Sequence, residues 1–441
     1  MLPGTKFLWI WTMIPYSFSL EFKHHNAEEL ESFLHRINSN YSSITHLYSI
    51  GKSVEGVDLW VLAIGKHPEK HVVGIPEVKY IGNIHGNEIV GREMLLHLID
   101  HMVEKYGEDS TITQIINSTR IHIMPSMNPD GYAATKNAEY CKPTHGRNNK
   151  ADIDLNRNFP TFPAKNSSST LQPETKAVMN WILNETFVLS LSLHGGAVVV
   201  SYPYDSFVGE TSRCPDNDVF VYLAKNFSYS HAGMHFGDEC VETPIFIDGI
   251  TIGAEWYSLE GGMQDFNYIQ AQCFELTVEM SCCMNPPPDT LKNFWNENKI
   301  SLINFFKLVH LGVKGQILDA YNQPIKDAII KVHGRENLIP FKTNELGEYY
   351  RLLLPGTYTL EVSAKGFYPR TVQLEIPNNL SNFSALVYNI RLDDKNQFPE
   401  ERVGAGDRAS TTDINVILLI SSIFLSLKFT FNSSDKDVLM L

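Results

Sequence analysis

The sequence predicts an α/β domain with helices packed on the faces of its sheet, followed by a small all-β domain. Three observations carry this prediction. From residue 20 to about 308, period-2 apolar segments alternate with segments of helical period. Beyond that point the chain becomes a series of short β-type runs separated by Gly, Pro and Asn turns. At 441 residues, the chain is also too long for one small domain. With 43% hydrophobic and 20% charged residues it has material for a sizeable core and is too apolar for disorder. The net charge of −14 repels phosphate backbones, which argues against a nucleic-acid partner and favours cationic ligands near the surface.

At the N-terminus, Lys6 precedes an apolar run over 7–14 and the small-x-small triplet Ser17-Phe18-Ser19, the order of a secretory leader. Residues 1–19 are read as a signal peptide, with a mature start near Leu20. A core helix is the alternative, and Pro15 argues against it. Eight Asn-x-Ser/Thr sequons agree with a secretory route, glycosylation and an extracellular setting. In such a compartment the six cysteines can form up to three disulfides, whose pairing the sequence leaves open. None of them forms a CxxC pair, which disfavours a cysteine-ligated zinc.

Within the expected α/β domain, residues 20–308, apolar positions recurring every three to four residues predict an amphipathic helix over 87–106, stopped by Gly107. Short apolar strands over 78–84, 187–193 and 273–280 each carry, at or just past the carboxyl end, a residue able to ligate metal or move protons: His85, His194 and Glu279. Functional groups in open α/β sheets gather at such strand ends. His85 and Glu88 sit three residues apart on a turn entering a helix, and with His194 they offer two nitrogens and a carboxylate. That set can hold Zn²⁺ with a position left for water, as in a catalytic site. Alternation places Glu275 and Glu279 on one strand face. Neither should be buried unpartnered; Glu279, nearer the strand's end, is the candidate general base and Glu275 closes an internal hydrogen-bond network, with solvated edge-strand charges as the alternative for both.

The all-β domain, residues 309–392, contains few clustered His or Glu, which points to packing or orienting rather than catalysis. In the tail, residues 393–441, an apolar run over 414–427 is too short to span hydrocarbon. Upstream, Gly404, Ala405 and Gly406 and a polar spacer suit a GPI-attachment signal and a place on the cell membrane. Residues 428–441 continue past the run with Lys436, which leaves secretion with a free tail as the alternative.

Seven segments in order carry a family resemblance: His85-Gly-Asn-Glu88, Pro125-Ser-Met-Asn-Pro-Asp-Gly131, Asp154-Leu-Asn-Arg-Asn-Phe-Pro160, His194-Gly-Gly196, Ser201-Tyr-Pro-Tyr-Asp205, Gly261-Gly-Met-Gln-Asp265 and Phe274-Glu-Leu-Thr-Val-Glu279. Over residues 20 to 392 the sequence resembles zinc metallocarboxypeptidases of the regulatory group, in which a mixed-sheet catalytic domain precedes a transthyretin-like β sandwich. The resemblance implies one zinc on His85, Glu88 and His194, with Glu279 as general base and acid. It implies Asn156, Arg157 and Tyr257 as the grip on a substrate's terminal carboxylate and Arg147 as the oxyanion's partner. It also implies Ser201, Asp205 and Gln264 as the lining of a pocket for a C-terminal Arg or Lys. A guanidinium meets a carboxylate bidentately, which suits the choice of a free chain end. Peptides or proteins with basic C-termini are the expected substrates, and the chain is expected to act as a monomer. An amidohydrolase-type zinc enzyme would share the His-x-x-Glu…His set but would give no reason for the Asn156-Arg157 grip or the trailing module. A non-catalytic relative would have lost ligands, and none is missing.

Overall fold

The computed structural model describes residues 20–135, 140–142, 145–163, 170–207, 212–379 and 383–396. The expected leader and the C-terminal apolar run with its attachment signal lie outside them. Among the described residues no helix is long and apolar enough to cross a membrane.

The first part of the chain builds an eight-stranded sheet from β1 (Thr45–Lys52), β2 (Asp58–Ile64), β3 (Glu77–Gly82), β4 (Arg120–Met124), β5 (Phe187–His194), β6 (Ala197–Tyr202), β7 (Ile250–Ile252) and β8 (Phe274–Ser281). The order is β1-β2-β4-β3-β5-β8-β6-β7. The middle four strands, β4-β3-β5-β8, run parallel, and antiparallel neighbours flank them, so the sheet is mixed. Every residue of β3 and β5 is buried, as expected of parallel strands covered on both faces.

Nine helices cover the sheet among the described residues: α1 (Ala27–Asn40), α2 (Ile89–Lys105), α3 (Ser110–Ser118), α4 (Pro129–Ala134), α5 (Pro173–Asn184), α6 (Asn217–Ser230), α7 (Gly253–Trp256), α8 (Met263–Ala271) and α9 (Leu291–Lys307). Helix α1 starts where Asn26 and Glu29 satisfy each other's backbone N–H groups in a capping box, and it buries Leu30, Phe33, Leu34 and Ile37. Helix α2 departs from the amphipathic helix that the periodicity predicts. It begins at Ile89, and its polar residues Arg92, Glu93, His97 and Asp100 are buried with the apolar ones. Partners explain this for Glu93, which meets the His25 ring at 2.7 Å and Arg92 Nη1 at 2.7 Å.

The remaining strands, β9 (Val313–Leu318), β10 (Ile329–Val332), β11 (Phe341–Lys342), β12 (Glu348–Arg351), β13 (Gly356–Ser363), β14 (Arg370–Ile376), β15 (Leu386–Val387) and β16 (Ile390–Arg391), form the β sandwich. Its two sheets, β11-β10-β13-β14 and β12-β9-β15 with β16 beside β9, enclose a separate apolar core around Ile317, Ala328, Leu353, Leu360 and Val362. Ionic groups fasten it to the catalytic domain. Arg335 reaches Asp216 at 2.9 Å, Arg351 Nη2 reaches the same carboxylate at 2.7 Å, and the His71 ring bridges Glu77 at 2.6 Å and Glu348 at 2.5 Å.

Two disulfides close among the described residues, Cys141–Cys283 and Cys240–Cys282. Cys214 and Cys273 are buried as free thiols, so the structure forms two of the three bridges that six cysteines permit.

Candidate metal centre and substrate cleft

Strands β3, β5 and β8 are adjacent and parallel, so their carboxyl ends open on one crevice. Residue His194 is paired in register with Glu279. After β3 the chain turns sharply through Asn83, whose side-chain amide donates to the carbonyls of His85, Gly86 and Glu88. At Gly86 a Cβ would stand 2.2 Å from the Gly131 carbonyl carbon, so only glycine lets this turn pack against α4.

The turn brings His85 and Glu88 to His194. Glu88 Oε1 is 2.8 Å from His85 Nδ1, and Oε2 is 2.9 Å from His194 Nδ1. The other ring nitrogens are tied back, His85 Nε2 to Asp154 Oδ1 at 3.0 Å and His194 Nε2 to Ser192 Oγ at 3.1 Å. Ligand atoms of the three residues lie within 4.8 Å of one another, and all three residues are buried. Both Nδ1 atoms and a carboxylate thus converge, with outer partners fixing each ring, and this donor set fits a zinc ion with an open position. Burial opposes ionisation of Glu88, but the two imidazoles outweigh it and hold the carboxyl well below its usual range. A second cluster, Glu77, His122 and Glu185, is as compact. There Arg120 Nη1 already supplies the cation, 3.1 Å from Glu77 and 3.0 Å from Glu185.

Glu279 stands beside this triad, buried, with Oε2 lacking a hydrogen-bond partner. Burial, with the nearby Glu88 second, pushes its carboxyl well above the usual range. The Glu275 carboxylate is instead held by Ser190 Oγ at 2.6 Å and Asn267 Nδ2 at 2.8 Å, with Lys79 at 3.8 Å. Arg147 lies over the triad, its guanidinium 3.0 Å from Asp154 and 3.5 Å from Glu88.

One cavity joins Asn156, His194, Ser201, Asp205, Tyr257, Thr277 and Glu279. Arg157 adjoins it through the 3-10 turn Leu155–Arg157, and the only hydrogen bond of its side chain among the described residues runs from Nη1 to the Asn156 carbonyl at 2.9 Å. Asp205 is buried, and its Oδ1 accepts from Gln264 Nε2 at 2.8 Å. No Lys, Arg or His among the described residues forms an ion pair with it. Burial, with Asp265 second, pushes its carboxyl well above the usual range. A Cβ on Gly253 would stand 1.8 Å from Asp205 Oδ1, so glycine keeps this carboxylate open to the cavity.

The structure therefore brings together all eleven residues singled out by sequence. Asp154, Ser192, Asn83 and Gly253 were not singled out. Asp154 alone carried a signal, its place at the head of the Asp-x-Asn-Arg segment.

The model of the zinc carboxypeptidase family matches residues 30–301. The chain belongs to the zinc carboxypeptidase family. A carboxypeptidase regulatory-like domain follows over residues 312–391. This carboxypeptidase is 51% identical over 391 residues to carboxypeptidase M of Mus musculus, covering 87% of this chain and 88% of that one. It is 43% identical over 385 residues to the carboxypeptidase N catalytic chain of Mus musculus, covering 80% and 83%. Among solved structures, a carboxypeptidase A from Helicoverpa armigera matches with a TM-score of 0.54 at 21% identity, covering 64% of this chain and 73% of that one, a likeness of fold alone.

Proposed function

We propose that this carboxypeptidase removes C-terminal Arg or Lys from extracellular peptides and proteins. The observation that carries the specificity is the Asp205 carboxylate: it is buried, faces the cavity that also holds Glu279, and among the described residues forms no ion pair, Arg157 acting on it only at longer range. Desolvating an anion without a countercharge costs several kcal/mol. A guanidinium or ammonium entering the cavity would restore its ionisation, with Ser201 and Gln264 completing the polar lining.

Arg157, which has no acidic partner among the described residues, pairs with the terminal carboxylate, Asn156 adds an amide donor, and the half-exposed Tyr257 hydroxyl closes over the same group. His85, Glu88 and His194 would hold one zinc ion. When bound, zinc supplies Lewis acidity, polarising the scissile carbonyl and acidifying a water molecule. Glu279 Oε2 takes the proton from the attacking water and returns it to the leaving amine. Arg147 faces the developing oxyanion, where a fixed cation is worth more than in water.

The test is hydrolysis of matched peptides ending in Arg, Arg-amide and Phe, with and without a chelator. Cleavage confined to the free Arg terminus and abolished by the chelator supports the reading. Equal cleavage of blocked and unblocked ends defeats it. Lipid anchoring at the cell surface is part of the proposal and rests on the tail sequence. Release of the surface protein by a phosphatidylinositol-specific phospholipase supports it, and protein found only in the medium replaces it with secretion.

A further inference from the structure

The N-terminal segment, residues 20 to 26, runs along α2 and delivers groups to two acids on that helix. His25 reaches Glu93, as described above. Two turns later, the Leu20 backbone nitrogen lies 3.1 Å from Asp100 Oδ2, in buried surroundings. The Leu20 side chain belongs to the main core beneath the sheet.

The two acids are not equally served. Glu93 has the Arg92 guanidinium, the His25 ring and the His25 N–H. Asp100 is 8% exposed and receives, among the described residues, only the Leu20 N–H. No Lys, Arg or His among them forms an ion pair with it. The titratable and charged groups facing it are Glu104 on the next turn of α2, which opposes its ionisation, Arg36 of α1, which favours it, and the Tyr41 hydroxyl. A buried carboxylate held by one neutral N–H is poorly compensated. The same nitrogen as a chain terminus would supply the missing charge.

We propose that leader removal between Ser19 and Leu20 creates an α-ammonium at Leu20 whose ion pair with Asp100 locks the N-terminal segment onto α2. In the cleavage, water's hydroxyl goes to the Ser19 carbonyl carbon as the Ser19–Leu20 C–N bond breaks, and its proton goes to the Leu20 nitrogen. That nitrogen takes a second proton from solvent at neutral pH, because free α-amines titrate near 7.7–8.0. The segment that completes this pair packs on the helix that begins next to the metal-site acid Glu88, so the processed terminus stabilises the domain from its far side.

The experiment uses the full chain purified from secreting cells and an amine-acylating ester as the probe. Mass spectrometry of the N-terminal peptide is expected to find a free Leu20. Acylation of its α-amine, measured against pH in the native protein, is expected to titrate above the value in the urea-unfolded chain. Each unit of upward shift cuts the reactive fraction about tenfold. Asp100→Asn removes the charge while keeping the shape, and should bring the native labelling rate up toward the unfolded one. A mature chain starting at another residue overturns the proposal. So does an α-amine that titrates at or below its unfolded value, since burial without a partner lowers an amine's pKa. The wild-type titration decides even if Asp100→Asn fails to fold, and none of these readouts depends on peptidase activity.

Discussion

Replacing Asp205 by Asn isolates the charge at the end of the cavity. An Asn side-chain oxygen can still accept from Gln264 Nε2, as Asp205 Oδ1 does at 2.8 Å. The loop around it hangs on the backbone N–H of Asp205, which donates to Asp265 Oδ1 at 2.9 Å and is untouched by the change. The fold should therefore survive while the anion disappears. A hydrogen bond to a charged partner contributes about 1.5–3 kcal/mol, so kcat/KM for a C-terminal Arg should fall roughly 10- to 150-fold. Burial and Asp265 push the Asp205 carboxyl up, so ionising it consumes part of that energy. The lower half of the range is expected at neutral pH, with discrimination in the wild type growing as pH rises. The assay compares kcat/KM for otherwise identical peptides ending in Arg and in citrulline, its neutral isostere. In the wild type the ratio should be large, and in Asp205→Asn it should collapse toward one. An unchanged ratio, or equal losses on both substrates, refutes the assignment of Asp205 as the specificity anion.

Glu279→Gln should keep stoichiometric zinc by metal analysis and an unaltered melting curve while losing on the order of 10² to 10⁴ in turnover. Arg157→Gln should abolish the preference for a free over an amidated terminus, read as the ratio of the two kcat/KM values, and Arg157→Lys should recover it only in part because an ammonium lacks the guanidinium's two-pronged geometry. For His71 the predicted effect is on stability. Burial lowers its pKa, but the hydrogen bonds that its ring donates to Glu348 and Glu77 outweigh this and raise it to about 9. A raised folded-state value means that the contribution is complete below pH 6.5 and disappears as pH climbs through about 9, amounting to at most about 3 kcal/mol. Thermal unfolding from pH 6 to 10 should show this loss, and His71→Gln should flatten it.

Arg147, Asn156, Arg157, Tyr257, Ser201, Asp205 and Gln264 were legible only through the family resemblance, whereas His85, Glu88, His194 and Glu279 were legible because each lies at a strand end or on the turn just past it, where local sequence supplies the chemical group. The adjacency of β3, β5 and β8 was not, since parallel pairing joins residues about a hundred positions apart and leaves no local trace. Helix α2 misled for a related reason. Arg92, Glu93 and Asp100 read as a wet face, yet their partners arrive from the N-terminal segment and turn that face inward. Gly253 had no signal at all, because its necessity comes from an Asp205 oxygen that only the folded chain brings near. Cysteine pairing was equally hidden, with 15 connectivities open for six residues.

The two disulfides end on neighbouring residues, Cys282 and Cys283, just beyond the strand that presents Glu279. One tether leads back toward the segment before Arg147, and the other to the loop that precedes β7. A single dipeptide is thus a common anchor for two segments about a hundred residues apart in the chain. Reduction would release both segments at once, directly beside the strand that carries Glu279.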